Sequence, residues 1–165
     1  MDLRAFSVRQ PWAGLLVAGV KRFEVRTWAP KELGFFLVHA SSSKAQGMPE
    51  LRAEPLFQKS LREADMTDER CWPQRAILGL VEVIRIIHPE EGLPRGFTKQ
   101  DGFLCGSVEG VLLWEVGRRW PFAKPVPCDG WLNLWRPPVE IHAALNRQLA
   151  AAGAAVRIDA KSVRA

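Results

Sequence analysis

Apolar and polar positions along this chain come in short runs, and each run predicts a short element. Residues 3–8 alternate weakly and predict a strand. From Trp12 to Val17 the residues are almost wholly apolar, so the small helix they predict is expected to be buried. Pro11 opens that helix at a first helical position, where a missing N–H leaves no bond unmade. Gly19 stops it, because glycine takes the left-handed conformation without strain. The stretch from Lys21 to Trp28 then alternates with period two: Phe23, Val25 and Thr27 fall on one face, and Arg22, Glu24, Arg26 and Trp28 on the other. The first face is expected in the core. The second sets a carboxylate between two guanidinium groups, with an indole at the end.

Residues 34–41, GFFLVHAS, read as a continuous apolar strand that ends at His39 and the serines after it. Residues 76–87 make the longest apolar run, interrupted by Glu82. A buried carboxylate is costly without a partner, and Lys21 or an arginine of the 21–28 stretch is the expected one. Strands are also expected at 108–116 and 130–135. Between them Pro121, Pro125 and Pro127 argue against a central strand, since proline cannot donate to a ladder. Residues 41–75 form a polar insertion with one helix from Pro55 to just before Met66. Residues 88–103 are rich in turn signals and read as a surface loop. Residues 139–151 predict a last helix, and 155–165 either fray or add an edge strand.

Strands separated by turns, without a regular strand–helix repeat, define an α+β class and a small mixed β-barrel of five or six strands with flanking helices. The expected organisation is one domain over 1–138, with a helical insertion near 44–72, followed by a C-terminal helix and tail over 139–165. The core is expected to take Phe23, Val25, Phe36, Val38, Ile77, Leu78, Val81, Val83, Val111, Leu113, Leu132 and Leu134.

Composition adds three points. The chain has seven Trp and no Tyr, and some of those large rings are expected to rim a groove. Its formal net charge of +5 permits a polyanionic partner. Cys71, Cys105 and Cys128 are scattered and odd in number, which fits idle thiols in a reducing cytoplasm rather than a disulfide framework. No metal-ligand spacing, dinucleotide fingerprint, phosphate loop or nucleophile elbow is present, and no cofactor or membrane segment is expected.

Ser7-x-Arg9-Gln10-Pro11-Trp12-Ala13, followed by Gly19-x-Lys21-x-x-Glu24-x-Arg26-x-Trp28, resembles the ASCH family, whose fold is similar to that of PUA RNA-binding domains. The strand ending His39-Ala40-Ser41, the strand containing Glu82 and the closing Gly130-Trp131-Leu132 agree with it. The resemblance covers roughly residues 3–136. It implies a β-barrel with a cleft beside the opening helix, and binding of RNA or another nucleic acid there. Lys21, Glu24 and Arg26 would be the polar cluster facing the cleft.

On that reading Arg26 offers a fixed fork of donors to a phosphate or base edge, Lys21 a movable charge, and Glu24 an orienting acceptor. Trp28 is a candidate stacking surface, His39 a candidate polar contact, and Arg118, Arg119 and Lys124 near Trp120 a basic–aromatic rim. Trp12 is assigned to the core. The second reading is a small hydrolase acting on RNA or on a modified nucleoside. Some members similar to this chain cleave the acetyl amide of N4-acetylcytidine with a lysine, a threonine and a glutamate. Lys21 and Glu82 would match two of these, with Glu24 standing where the threonine is expected. As catalytic residues Lys21, Glu24 and Glu82 would share proton transfer and charge stabilisation.

Overall fold

The structure, a computed structural model, describes residues 1–159. Its strands are β1 (Arg4–Gln10), β2 (Phe23–Arg26), β3 (Gly34–Lys44), β4 (Ala76–Ile87), β5 (Leu112–Pro127) and β6 (Leu134–Trp135). Its helices are α1 (Trp12–Ala18), α2 (Met48–Ala53), α3 (Pro55–Glu63), α4 (Lys99–Cys105) and α5 (His142–Ala151). The strands form one sheet in the order β2-β5-β4-β3-β1-β6, with β1 and β3 parallel and the other neighbours antiparallel. No helix among the described residues is long and apolar enough to cross a membrane.

The sheet curls hard. Phe6 on β1 and Trp114 on β5 are three strand positions apart, which would separate them by roughly 14 Å in a flat sheet. Their ring centroids are 5.5 Å apart. Alternate residues of the strands, including Phe6, Val8, Phe36, Val38, Val81 and Trp114, fill the concave face, and α1 closes it with Ala13, Leu16 and Val17. The convex face, with Ala5, Leu37, Leu80 and Phe122, packs under Leu145 and Leu149 of α5. A short apolar helix can be buried here because the backbone beyond it is satisfied: Gly19 at φ 88° ends α1, and Lys21 N–H donates to Leu15 O at 3.0 Å.

The barrel expected from the strand pattern is not closed. Edge strands β2 and β6 are four and two residues long and do not pair with each other. Two such short edges offer no ladder long enough to join. What crosses the gap is a side chain: Arg26 of β2 donates from Nη2 to the Ser7 carbonyl of β1 at 2.6 Å. The open seam between β2 and β1 is therefore bridged rather than sealed.

Four other expectations are corrected. β5 continues through its prolines, pairing Gly79 with Pro121 and Ala76 with Pro127. It tolerates them because β2 covers only Leu112–Glu115, so the later residues need no donor on that side. The 88–103 loop gives way to α4, nucleated by a capping box in which Thr98 and Asp101 exchange side-chain and backbone bonds. Leu132 is 88% exposed rather than in the core, because β6 begins only at Leu134. Val25 and Leu134 are half-buried but do pack against core clusters, and Val111 is half-buried. An edge strand in the tail does not form over 155–159, and 160–165 lie outside the described residues.

Candidate functional site

The seam collects Lys21, Glu24 and Arg26, whereas Arg22, expected on the same face as Glu24, instead bonds Asp101 and the Gly96 carbonyl near α4. Lys21 follows directly on the stop of α1, and its Nζ donates to the Phe23 carbonyl and stands 3.8 Å from Glu24 Oε2. Glu24 Oε1 accepts from Arg26 Nε at 2.8 Å. The side chains of Lys21 and Glu24 are only 4% and 6% exposed. Period-two alternation puts Glu24 opposite Trp114 on the concave face, while Phe23 and Val25 turn the other way toward Leu113 and Ile87. Both faces of β2 are thus covered, and the charged residues expected to face a cleft are largely buried.

Arg26 is the group that meets the opening. Its guanidinium lies 5.4 Å from the Phe6 ring centroid and 5.9 Å from that of Trp28, so its planar faces rest on aromatic surface. Nε and Nη2 are spent on Glu24 and Ser7, and Nη1 has no partner among the described residues. Trp28 is itself held edge-on against Trp114 at 4.8 Å, and its carbonyl accepts from the Trp114 indole N–H at 2.9 Å. One carboxylate between two cations leaves a formal charge of one positive unit. Burying such a triad contributes little to stability, since desolvation opposes the attraction. Its chemical capacity is to hold a guanidinium rigidly with donors still free.

Behind Ser7 lies a second polar group. The Ser7 hydroxyl stands 3.0 Å from His39 Nδ1 and 3.2 Å from the Trp131 carbonyl, and accepts from the Trp135 indole N–H at 3.3 Å. His39 Nε2 is 3.0 Å from the Cys128 carbonyl, which can only accept, so Nε2 carries the proton and Nδ1 is the acceptor. Burial pushes the His39 pKa below its ordinary value, against smaller upward effects of the Cys128 bond and Asp129. The ring is 1% exposed and both its nitrogens are engaged.

The remaining nominated residues divide by face. Arg119 lies on the α1 side, donating from Nε to Leu16 O at 3.0 Å and from Nη1 to Gly117 O at 2.7 Å, and burial lowers its pKa. A cation suits the Leu16 carbonyl at the end of α1. Arg118 is on the convex face, stacked between Phe35 and Trp120 and bonded to both oxygens of Glu82 at 2.8 and 3.2 Å. Glu82 therefore pairs with Arg118, not with Lys21 or the opening arginines, and its pKa is lowered mainly by that bond. Its register partner Phe35 places it on the opposite side of the sheet from Glu24. Lys21 and Glu82 are not brought together. Lys124 is exposed, with its backbone N–H on Gln148 of α5. Trp12 packs edge-on against Phe57 at 5.8 Å. Ser7, which the motif contained without an assigned role, is the residue on which Arg26, His39 and Trp131 converge.

These features define an α+β domain built on one curled six-stranded sheet with flanking helices. The sequence model of the ASCH domain matches residues 6–101, and the chain belongs to that family. Among curated proteins it is similar to human activating signal cointegrator 1, 27% identical over 145 residues, and to the mouse protein of that name at 26%. These alignments cover 87% of this chain and 24% of the relatives, so the chain spans about a quarter of their length. Among solved structures, the ASCH protein from Zymomonas mobilis is similar at 13% identity with a TM-score of 0.48, covering 87% of this chain and 93% of that one.

Proposed function

We propose that the seam binds nucleic acid, with RNA as the first candidate, and that Arg26 is its central contact. The observation that carries this reading is the state of Arg26: fixed by Glu24 and Ser7, backed by Phe6 and Trp28, and with Nη1 unspent. A phosphate or the acceptor edge of a base would take those two hydrogens, and a preset guanidinium loses little freedom in binding it. Lys21 adds charge from beneath, and Glu24 acts by positioning Arg26. The ASCH family is associated with nucleic-acid-related function, and the net charge of +5 is of the right sign for that partner.

The test is a titration of labelled single-stranded RNA, duplex RNA and single-stranded DNA at several salt concentrations. Affinity should fall linearly on a log–log plot as released counterions are replaced. Arg26→Ala, checked for folding by circular dichroism, should weaken binding about tenfold or more, as expected for a lost charge-assisted contact. Arg118→Ala on the convex face should change it little. Absence of wild-type binding to all three polymers at low salt would overturn the proposal.

A further inference from the structure

We propose that the loop carrying Gly130, Trp131 and Leu132 borders the seam across the edge of β1, and that Trp131 is a stacking platform for one unpaired base. This rests on the nucleic-acid reading above and names the form of nucleic acid it selects, a single strand.

Topology brings the loop to the seam. β6 runs antiparallel to β1 with Leu134 opposite Phe6, so the residues just before Leu134 follow the edge of β1 beyond Phe6. That is the edge whose Ser7 carbonyl Arg26 reaches from the other side. The Ser7 hydroxyl meets the Trp131 carbonyl at 3.2 Å on the convex side, where Trp135 lies, and the Ser7 carbonyl accepts from Arg26, so Ser7 stands between the loop and the Arg26 guanidinium.

The loop presents apolar surface while being firmly held. Trp131 is 52% exposed and Leu132 88% exposed. Yet Trp131 rests edge-on against Trp135 with centroids 5.0 Å apart, and Trp135 is buried. Gly130 lies so close to His39 and Ser7 that a Cβ there would collide with the imidazole and the hydroxyl. The Ser7–His39–Cys128 hydrogen bonds thereby act as a clasp beneath the loop. An exposed indole fixed in one pose has already lost the freedom that stacking would otherwise remove. Arg9, two residues along β1 from Ser7, is exposed and has no partner among the described residues. A flat apolar ring packed beside β1, the strand that also carries the unpaired Arg9 guanidinium, matches a nucleotide, which carries a π-face and an anion on one scaffold. In a duplex that face is hidden by its stacked neighbours.

The experiment compares the full chain and its Trp131→Ala, Trp131→Phe and Arg9→Ala variants. Each is titrated with a short single-stranded RNA and with an abasic ribose-phosphate strand of the same length. Trp131→Ala should weaken RNA binding roughly 5- to 150-fold, the range for one lost base–aromatic stack, and leave the abasic strand unaffected. Trp131→Phe should restore most of the loss. Arg9→Ala should weaken both strands alike and lower the salt slope by about one unit. If Trp131→Ala binds RNA like wild type while Arg26→Ala does not, the platform is wrong and the seam reading stands. Equal loss on both strands also overturns stacking. A wild type that binds neither strand at low salt overturns both proposals.

Discussion

On the concave side of the sheet, Glu24 bonds Arg26 beside Trp28 and Phe6; on the convex side, Glu82 bonds Arg118 beside Trp120 and Phe35. The chemical parts are nearly the same and their surroundings are not. Glu24 is buried between two cations, whereas Arg118 is 67% exposed and its pair is washed by solvent. Arg26 also reaches across the seam from β2 to β1, while Arg118 bonds the adjacent β4 and stacks on Phe35 of β3 along one face. Curl makes the difference. In a flat sheet the two faces would be alike, and here one is folded around a seam. A carboxylate–guanidinium pair by itself says little about function; its place relative to a curved sheet says more.

Stability measurements should separate the two pairs most widely. Glu24→Gln removes the only negative charge from between Lys21 and Arg26 and should cost about 3–5 kcal/mol, the usual penalty for orphaning a buried charge. Glu82→Gln should cost about 0–1 kcal/mol, as for exposed ion pairs. Urea denaturation of both variants beside wild type is the check. Equal costs would erase the distinction between the faces.

A smaller effect sharpens the seam side. Burial depresses the pKa of His39, so as pH falls the unfolded chain takes up this proton first. The stabilisation belonging to the neutral ring is therefore complete above the ordinary histidine pKa of about 6.5 and declines below it until the folded-state pKa is passed. Wild type should lose stability over that window, and His39→Gln should lose less. An identical pH slope in both would show that the ring is not held neutral by the fold.

Much of the fold was legible in the chain, because period-two runs and terminators act locally. The alternation of Phe23, Glu24, Val25 and Arg26, the apolar run at 76–87 and the stop at Gly19 all appear where the pattern puts them. Two local signals were outweighed by other signals. The Thr98–Asp101 capping box was masked by the turn residues around it, and the prolines of β5 obeyed the absence of a neighbour that no local pattern can reveal. The site was legible as a cluster of residues but not as a place. Lys21, Glu24, Arg26 and Trp28 do lie together, because they belong to one short stretch in and around β2. Glu82 seemed matched to Lys21 by charge, yet the register of Phe35 with Glu82 puts it on the other face. Ser7 and Trp131 are 124 residues apart and meet only through the pairing of β1 with β6.

The most direct test follows the indole N–H resonances of the seven tryptophans by NMR as single-stranded RNA is added. Trp28 lies against Arg26 in the seam, Trp131 is the exposed ring beyond Ser7 at the edge of β1, and Trp120 stacks with Arg118 on the convex face. The Trp28 and Trp131 signals should move together with a common saturation curve while that of Trp120 stays in place. Movement of Trp120 with Trp28 and Trp131 unmoved would put the ligand on the wrong face and contradict the proposed site.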